Sequence, residues 1–280
     1  MLALAACSPK HLIVQGIADE LATQGQAPED DLVLAREASA FYLKLSEGLL
    51  REVPDNAKLS EALATGFTQY AYAFVAFDAE RLEARDAKAA QALRERAARL
   101  YGRAHRHAMA ALERMSPGFR KALQSNQPAD WPQLRPDQIG LAYWAAASWG
   151  GLISLSKDQP DTVADLPLAM RLARLAYDKE PGYGNGSLAG LMGSFEVARP
   201  GGSKAQALQY FDSAIAMGAQ RSAGPLVAKA ESIALPAGNR PEFEALLQQA
   251  LAVCAANPDL QNTVMRERAL WLLGTADDLF

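Results

Sequence analysis

The sequence predicts an all-α protein, and three observations carry that prediction. Alanine is abundant and β-branched residues are thin, a composition that favours helices over strands. Apolar residues recur at helical spacing from about residue 31 to the end, and no stretch alternates as a strand would. Pro and Gly fall between the periodic stretches, where they punctuate loops. With 280 residues, half of them hydrophobic, the chain can bury one large core or two ordinary ones. No run of about 18 consecutive apolar residues occurs, so no helix is predicted to span a membrane.

In chain order, residues 12–21 carry a single short helical pattern that breaks at Gly25 and Pro28. Helices are then predicted over 31–52, 58–77, 88–115, 136–155, 163–178, 187–197, 203–217, 224–235, 240–255 and 260–272. Most starts carry a capping residue or an early proline: Asp55-Asn56, Pro136-Asp137, Asp161-Thr162, Ser187 and Ser203. Several of these helices share a row of residues. It reads Ala169-x3-Ala173-x2-Ala176, then Ala207-x3-Phe211-x2-Ala214, then Phe243-x3-Leu247-x2-Ala250, and earlier Ala97-x3-Tyr101-x2-Ala104. The last two spacings are 38 and 36 residues, with 72 across the middle. Such a row belongs to the second helix of a tetratricopeptide repeat, where small residues let the first helix pack close. The first-helix signature is degenerate, with Leu63, Gly66, Phe67 and Tyr70, or Trp144, Ala147 and Ser148, fitting it loosely. The expectation is therefore tetratricopeptide-like helical-hairpin repeats forming one superhelical domain over 31–280, with a plain helical bundle as the alternative.

The two cysteines, Cys7 and Cys254, lie at opposite ends of the chain. Leu4-Ala5-Ala6-Cys7 resembles a bacterial lipobox, in which a signal peptidase cuts before the cysteine and its sulfur takes a diacylglycerol. Residues 1–6 then read as the remnant of a lipoprotein signal peptide and 7–30 as a lipidated tether. Ser8 after the cysteine points to outer- rather than inner-membrane sorting. Cys254 lies in an apolar helix beside Leu251 and Val253, where a thiol serves as small core filler.

Charge is segregated along the chain. Residues 1–80 hold 5 basic and 12 acidic groups, residues 81–121 hold 11 and 4, and residues 122–280 hold 12 and 16. The overall charge of −4 argues against a general nucleic-acid binder. On the 88–115 helix, Arg96, Arg99, Arg103 and Arg106 form one stripe, opposite an apolar stripe of Ala97, Tyr101, Ala104, Ala108 and Leu112. The plainer reading of the arginines is a solvated face. The sharper one is a docking strip, at Arg96, Arg99 and Arg103, for an acidic partner or anionic headgroups.

Aromatic residues also gather. Phe67, Tyr70, Phe74 and Phe77 share a core-facing stripe, whereas Tyr143, Trp144 and Trp149 do not share one narrow face. Core packing accounts for the second group; lining an apolar ligand chamber is the functional alternative. Chemistry finds little footing. His105 and His107 are two apart on a helix and point away from each other, and neither His-x3-His nor Cys-x2-Cys is present. The Gly184–Gly190 stretch has the wrong spacing for a nucleotide loop and follows a helix, so it reads as a turn. Neither a metal site, a cofactor nor a catalytic constellation is predicted.

A narrower resemblance rests on the order of several stretches. They are Tyr70-Ala71-Tyr72-Ala73-Phe74-Val75, the run from Tyr143-Trp144 through Trp149-Gly150, Arg199-Pro200-Gly201-Gly202-Ser203, Ala207-Leu208-Gln209-Tyr210-Phe211, and the ending Leu272-Leu273-Gly274 through Leu279-Phe280. Together with the lipobox, these resemble the T-component (TatT) lipoproteins of tripartite ATP-independent periplasmic (TRAP) transporters. The resemblance implies a periplasmic, lipid-anchored, non-enzymatic protein that assists a solute-binding protein. It further implies a homotrimer with a ligand-accommodating channel. A tetratricopeptide scaffold for envelope assembly, with no transport role, is the alternative.

Overall fold

The computed structural model describes residues 9–24 and 31–280, with side chains over 13–23 and from residue 31 onward. Among these residues every regular element is helical. Helix α1 (Pro9–Gln24) is longer than the short pattern at 12–21 predicts. Helices α2 (Leu32–Glu52) and α5 (Ala87–Met115) start and stop within one residue of expectation. Their starts are set by side-chain caps. Asp31 accepts from the amides of Val33 and Leu34, and Asp86 from that of Ala89. Asn56, Ser203, Asn239 and Asp259 cap α3 (Ala57–Tyr70), α11 (Lys204–Gly218), α13 (Arg240–Ala256) and α14 (Leu260–Gly274) in the same way.

Other predictions need correction. The expected 58–77 helix continues as a π-helical turn (Ala71–Ala76) into α4 (Phe77–Leu82). A second π turn (Ala230–Ala234) follows α12 (Gly224–Lys229). The 136–155 helix opens with a 3₁₀ turn (Pro136–Gln138) before α7 (Ile139–Ser154). The 163–178 helix is preceded by one turn, α8 (Pro160–Val163), and α9 begins later (Leu166–Lys179). Ser187 does not cap α10 (Ser187–Ala198): its hydroxyl donates to the Gly184 carbonyl, and left-handed Gly186 stands at the cap. Short α6 (Phe119–Gln124) and α15 (Ala276–Leu279) have too few turns to show periodicity.

Helices close in sequence pack on one another: α3 on α5, α5 on α7, α7 on α9, α10 on α11 and α13 on α14. The recurring small–large–small rows are the seams. Ala97, Tyr101, Ala104, Ala169, Ala173, Ala176, Ala207, Phe211, Ala214, Phe243, Leu247 and Ala250 are all buried. The large members sit where the facing helix is thinnest. The Phe211 ring of α11 rests on Gly193 of α10, and the Tyr101 ring of α5 on Gly151 of α7. A Cβ at Gly193 would lie 3.0–3.1 Å from the Phe211 ring, and one at Gly151 2.7–2.8 Å from Tyr101. Close packing of this kind leaves no room for an added methyl group. Cys254 is buried, and burial pushes its thiol up to about 11, which leaves it inert packing.

Candidate functional site

Two surfaces on these helices carry the side chains that sequence reasoning singled out. The first is an open groove of about 750 Å³ between α5 and the end of α7, closed at one side by Ser156, Asp158 and Gln159. Its floor is apolar, formed by Leu100, Leu152 and Leu155. Arg96, Arg99, Arg103 and Arg106 line it together, with Glu95 and Asp158 as the acidic members. The helical spacing of the arginines places them in one file along the groove.

The four are not equivalent. Arg96, Arg99 and Arg106 are exposed, whereas Arg103 is drawn inward to Glu47 of α2. The Glu47 side chain is only 6% exposed and also accepts from His107 Nε2 at 2.9 Å and Lys44 Nζ at 3.0 Å. Burial by itself raises this carboxyl, but the bonds from Arg103, His107 and Lys44 outweigh it and hold the group at about 2. Phe67 completes the cluster, stacked on His107 at 5.9 Å and lying 5.0 Å under the Arg103 guanidinium. Arg103 is therefore fixed in place; among the described residues Arg96, Arg99 and Arg106 make no ion pair, Arg96 lying 5.9 Å over the Tyr70 ring, so their charge is left along the groove.

The second surface lies where α3, α7 and the turn before α10 meet. Tyr143 and Trp144 sit side by side with ring centroids 4.8 Å apart, and Tyr183 comes within 5.2 Å of Tyr143. Tyr183 donates to Glu61 of α3 at 3.3 Å. Burial, the first cause, pushes the Glu61 carboxyl above its usual range, and the Tyr183 hydrogen bond lowers it only in part. Burial also pushes the Tyr143 hydroxyl up to about 12. Trp149 has a different setting: it is buried, with its ring 4.4 Å from that of His105. Burial drops His105 to about 4 although its Nδ1 bonds the Ala145 carbonyl. The structure thus brings Tyr143 and Trp144 together and gives Trp149 other partners.

Glu47, Glu61 and Tyr183 escaped the sequence reading because nothing local marks them. Their partners lie 56, 60 and 122 residues away. A third network was also unread: buried Arg268 of α14 donates twice to Glu231 in the second π turn and once to Glu80 of α4. Its guanidinium lies 5.5 Å from the Tyr72 ring and 5.3 Å from Phe77, so both π turns are tied to α14.

Cys7 lies outside the described residues. Among the described residues no helix is long and apolar enough to cross a membrane, and no group of His, Cys, Asp and Glu is placed to hold a metal ion. Comparison with known proteins adds a relative, an uncharacterized protein of Treponema pallidum (strain Nichols). It is 28% identical over 266 residues, which cover 90% of this chain and 81% of the relative. The family model described as TRAP transporter T-component matches residues 28–280. With the match running through both surfaces and all the helices between them, the chain belongs to the TRAP transporter T-component family.

Proposed function

We propose that the protein is a lipid-anchored periplasmic accessory of a TRAP-type uptake system. It docks a solute-binding protein on the α5 groove and gives the solute a protected passage, by binding alone. The observation that carries this reading is the groove itself: a file of arginines over an apolar floor suits a partner with an acidic, partly apolar face. Membership of the T-component family supports the transport setting. In this reading the protein is acylated at Cys7 and held at the outer membrane, and α1, which packs on α2 and α3, lies between that anchor and the rest of the domain. Two or more lipid chains suffice for stable anchoring. The domain over 31–280 stacks its hairpins in tetratricopeptide fashion, and three copies associate. Tyr143 and Trp144 line the passage, with Trp149 behind them.

Docking is tested by titrating the lipidated protein against its cognate solute-binding protein, solute-loaded and empty. Arg96→Glu with Arg99→Glu should weaken the complex at least about tenfold and leave the helical spectrum unchanged, since exposed charges contribute little to folding. Arg103 is the wrong residue to reverse, because a glutamate there would face buried Glu47. Association should also slow as salt shortens the screening length toward about 8 Å. No binding in either state at low salt overturns the docking reading.

A further inference from the structure

We propose that Glu61, Tyr143, Trp144 and Tyr183 form a binding site for a small organic cation, specifically an alkylated ammonium group. This deepens the passage reading above and rests on Tyr143 and Trp144 belonging to that passage. Glu61 stands in an imbalance of charge. Among the described residues the two buried carboxylates, Glu47 and Glu196, have Arg103 and Arg199 beside them, and half-buried Glu231 has Arg268. Among the described residues Glu61 has no lysine or arginine partner, and the hydrogen bond it accepts there is the long contact from Tyr183. A carboxylate taken from water without a counter-charge is costly, and a ligand cation is what would make up the deficit.

Aromatic rings stand beside Glu61. The Tyr143 ring is inclined 68° to Trp144 and 51° to Tyr183, so the three rings form a corner rather than a flat stack. Aromatic faces carry negative electrostatic potential, and rings set at angles around a carboxylate recognise weakly hydrated cations. All four residues are partly accessible, so a ligand can reach them.

The backbone is built to hold this arrangement. Gly140 lies one turn before Tyr143 and Trp144 on the same face of α7, and the Glu61 carboxylate lies against it. Any Cβ at position 140 would collide with both carboxylate oxygens. On the far side, the left-handed residues Gly184, Asn185 and Gly186 turn the chain so that Tyr183 closes the corner.

The ligand class follows from what the site offers. The carboxylate and the negative faces of the rings repel an anion. A divalent metal ion would need several more oxygen ligands than are present. A primary ammonium has three N–H groups to satisfy, whereas a methylated one asks only for a counter-charge and apolar or aromatic surface.

The test uses the full chain with two probes of the same shape: choline, and its uncharged carbon isostere 3,3-dimethylbutan-1-ol. Binding is followed by calorimetry and by tryptophan fluorescence. Choline should bind saturably, and the isostere at least about tenfold more weakly. Glu61→Gln should remove that preference while leaving Tm unchanged or raised, because it removes an unpaired carboxylate; Trp144→Leu should weaken choline binding, and Tyr183→Phe should retain it. Equal binding of both probes, insensitive to Glu61→Gln, overturns the cation assignment and leaves an apolar passage standing. Binding of neither probe overturns the cation assignment and removes this corner from the passage as well. A lowered Tm for Glu61→Gln with unchanged choline binding makes Glu61 a structural residue and also overturns the proposal.

Discussion

His105, through burial, and Glu47, through its bonds from Arg103, His107 and Lys44, both couple folding to pH, and they act in the same direction. Its packed setting lowers half-buried His105 from its ordinary 6.5 to about 4, so between these values the unfolded chain binds a proton that the folded chain refuses. Stability is fully present above pH 6.5 and is lost as pH falls toward 4, on the order of 3 kcal/mol for this group. Burial likewise lowers His107, with the Glu47 bond working against it, which adds to the same limb. Glu47 continues the loss further down: its contribution is held above its ordinary 4.5 and disappears as pH falls toward 2. Denaturant titrations at pH 7.5 and 4.5 should therefore differ by several kcal/mol. His105→Gln, which keeps a donor for the Ala145 carbonyl, should flatten the upper part of that slope. An unchanged pH profile in this variant would show that His105 is protonated freely in the fold.

At the scale of elements, the α10–α11 hairpin shows why glycine sits where a nucleotide loop is only mimicked. Gly186 adopts φ +88°, and a Cβ there would collide with the Ala214 carbonyl oxygen, which is backbone and cannot swing aside. Ala214 is in turn the last small residue of its row, so the turn and the seam require each other. Gly186→Ala should cost about 2–4 kcal/mol, combining left-handed strain with a forced shift of the hairpin. Gly182→Ala, four residues earlier, meets nothing within 4 Å and should stay within about 0.5 kcal/mol by the same thermal or denaturant assay. Equal effects would dismiss the interlock. This hairpin also marks how far the sequence could be read. The long helices and their buried rows were legible, because periodicity and caps are local properties. Short α6 was not: it is held by buried Phe119 and Leu123 and by Arg171 of α9, which donates to the carbonyls of Leu123 and Ser125. The π turns add one residue per turn without disturbing composition, so the 58–77 pattern runs through one of them unmarked. The same division runs through the two surfaces. The arginine file has a helical period and could be seen; the inward pull on Arg103 and the unpaired Glu61 depend on distant partners and could not.

For the molecule as a whole, the basic 81–121 stretch and the acidic segments around it leave the faces chemically distinct, and one face is apolar. On α2, Leu34, Ala38, Phe41 and Leu45 recur at i, i+4, i+7 and i+11 and so form a single stripe opposite the buried side of the helix. Leu34 is 52% exposed, Phe41 71% and Leu45 49%, and Ile13 and Ile17 of α1 are also uncovered. A lone exposed leucine is ordinary, but a continuous apolar stripe on a three-turn face is a surface suited to contact with another molecule. In the proposed trimer that cover would be a neighbouring copy, α2 of one chain packing on the next, with the same interface repeated until the ring closes. Burying Phe41 in such an interface contributes on the order of 1.5–3 kcal/mol at each contact, and a carboxylate in its place would be left without a partner. Phe41→Glu should therefore convert a trimer into a monomer by light scattering, with an unchanged helical spectrum because the residue is 71% exposed. Since the α5 groove lies on another helix, the monomer should still bind the solute-binding protein with an unaltered per-chain affinity. A wild-type monomer at all concentrations, or a Phe41→Glu protein that remains trimeric, removes α2 as the assembly face.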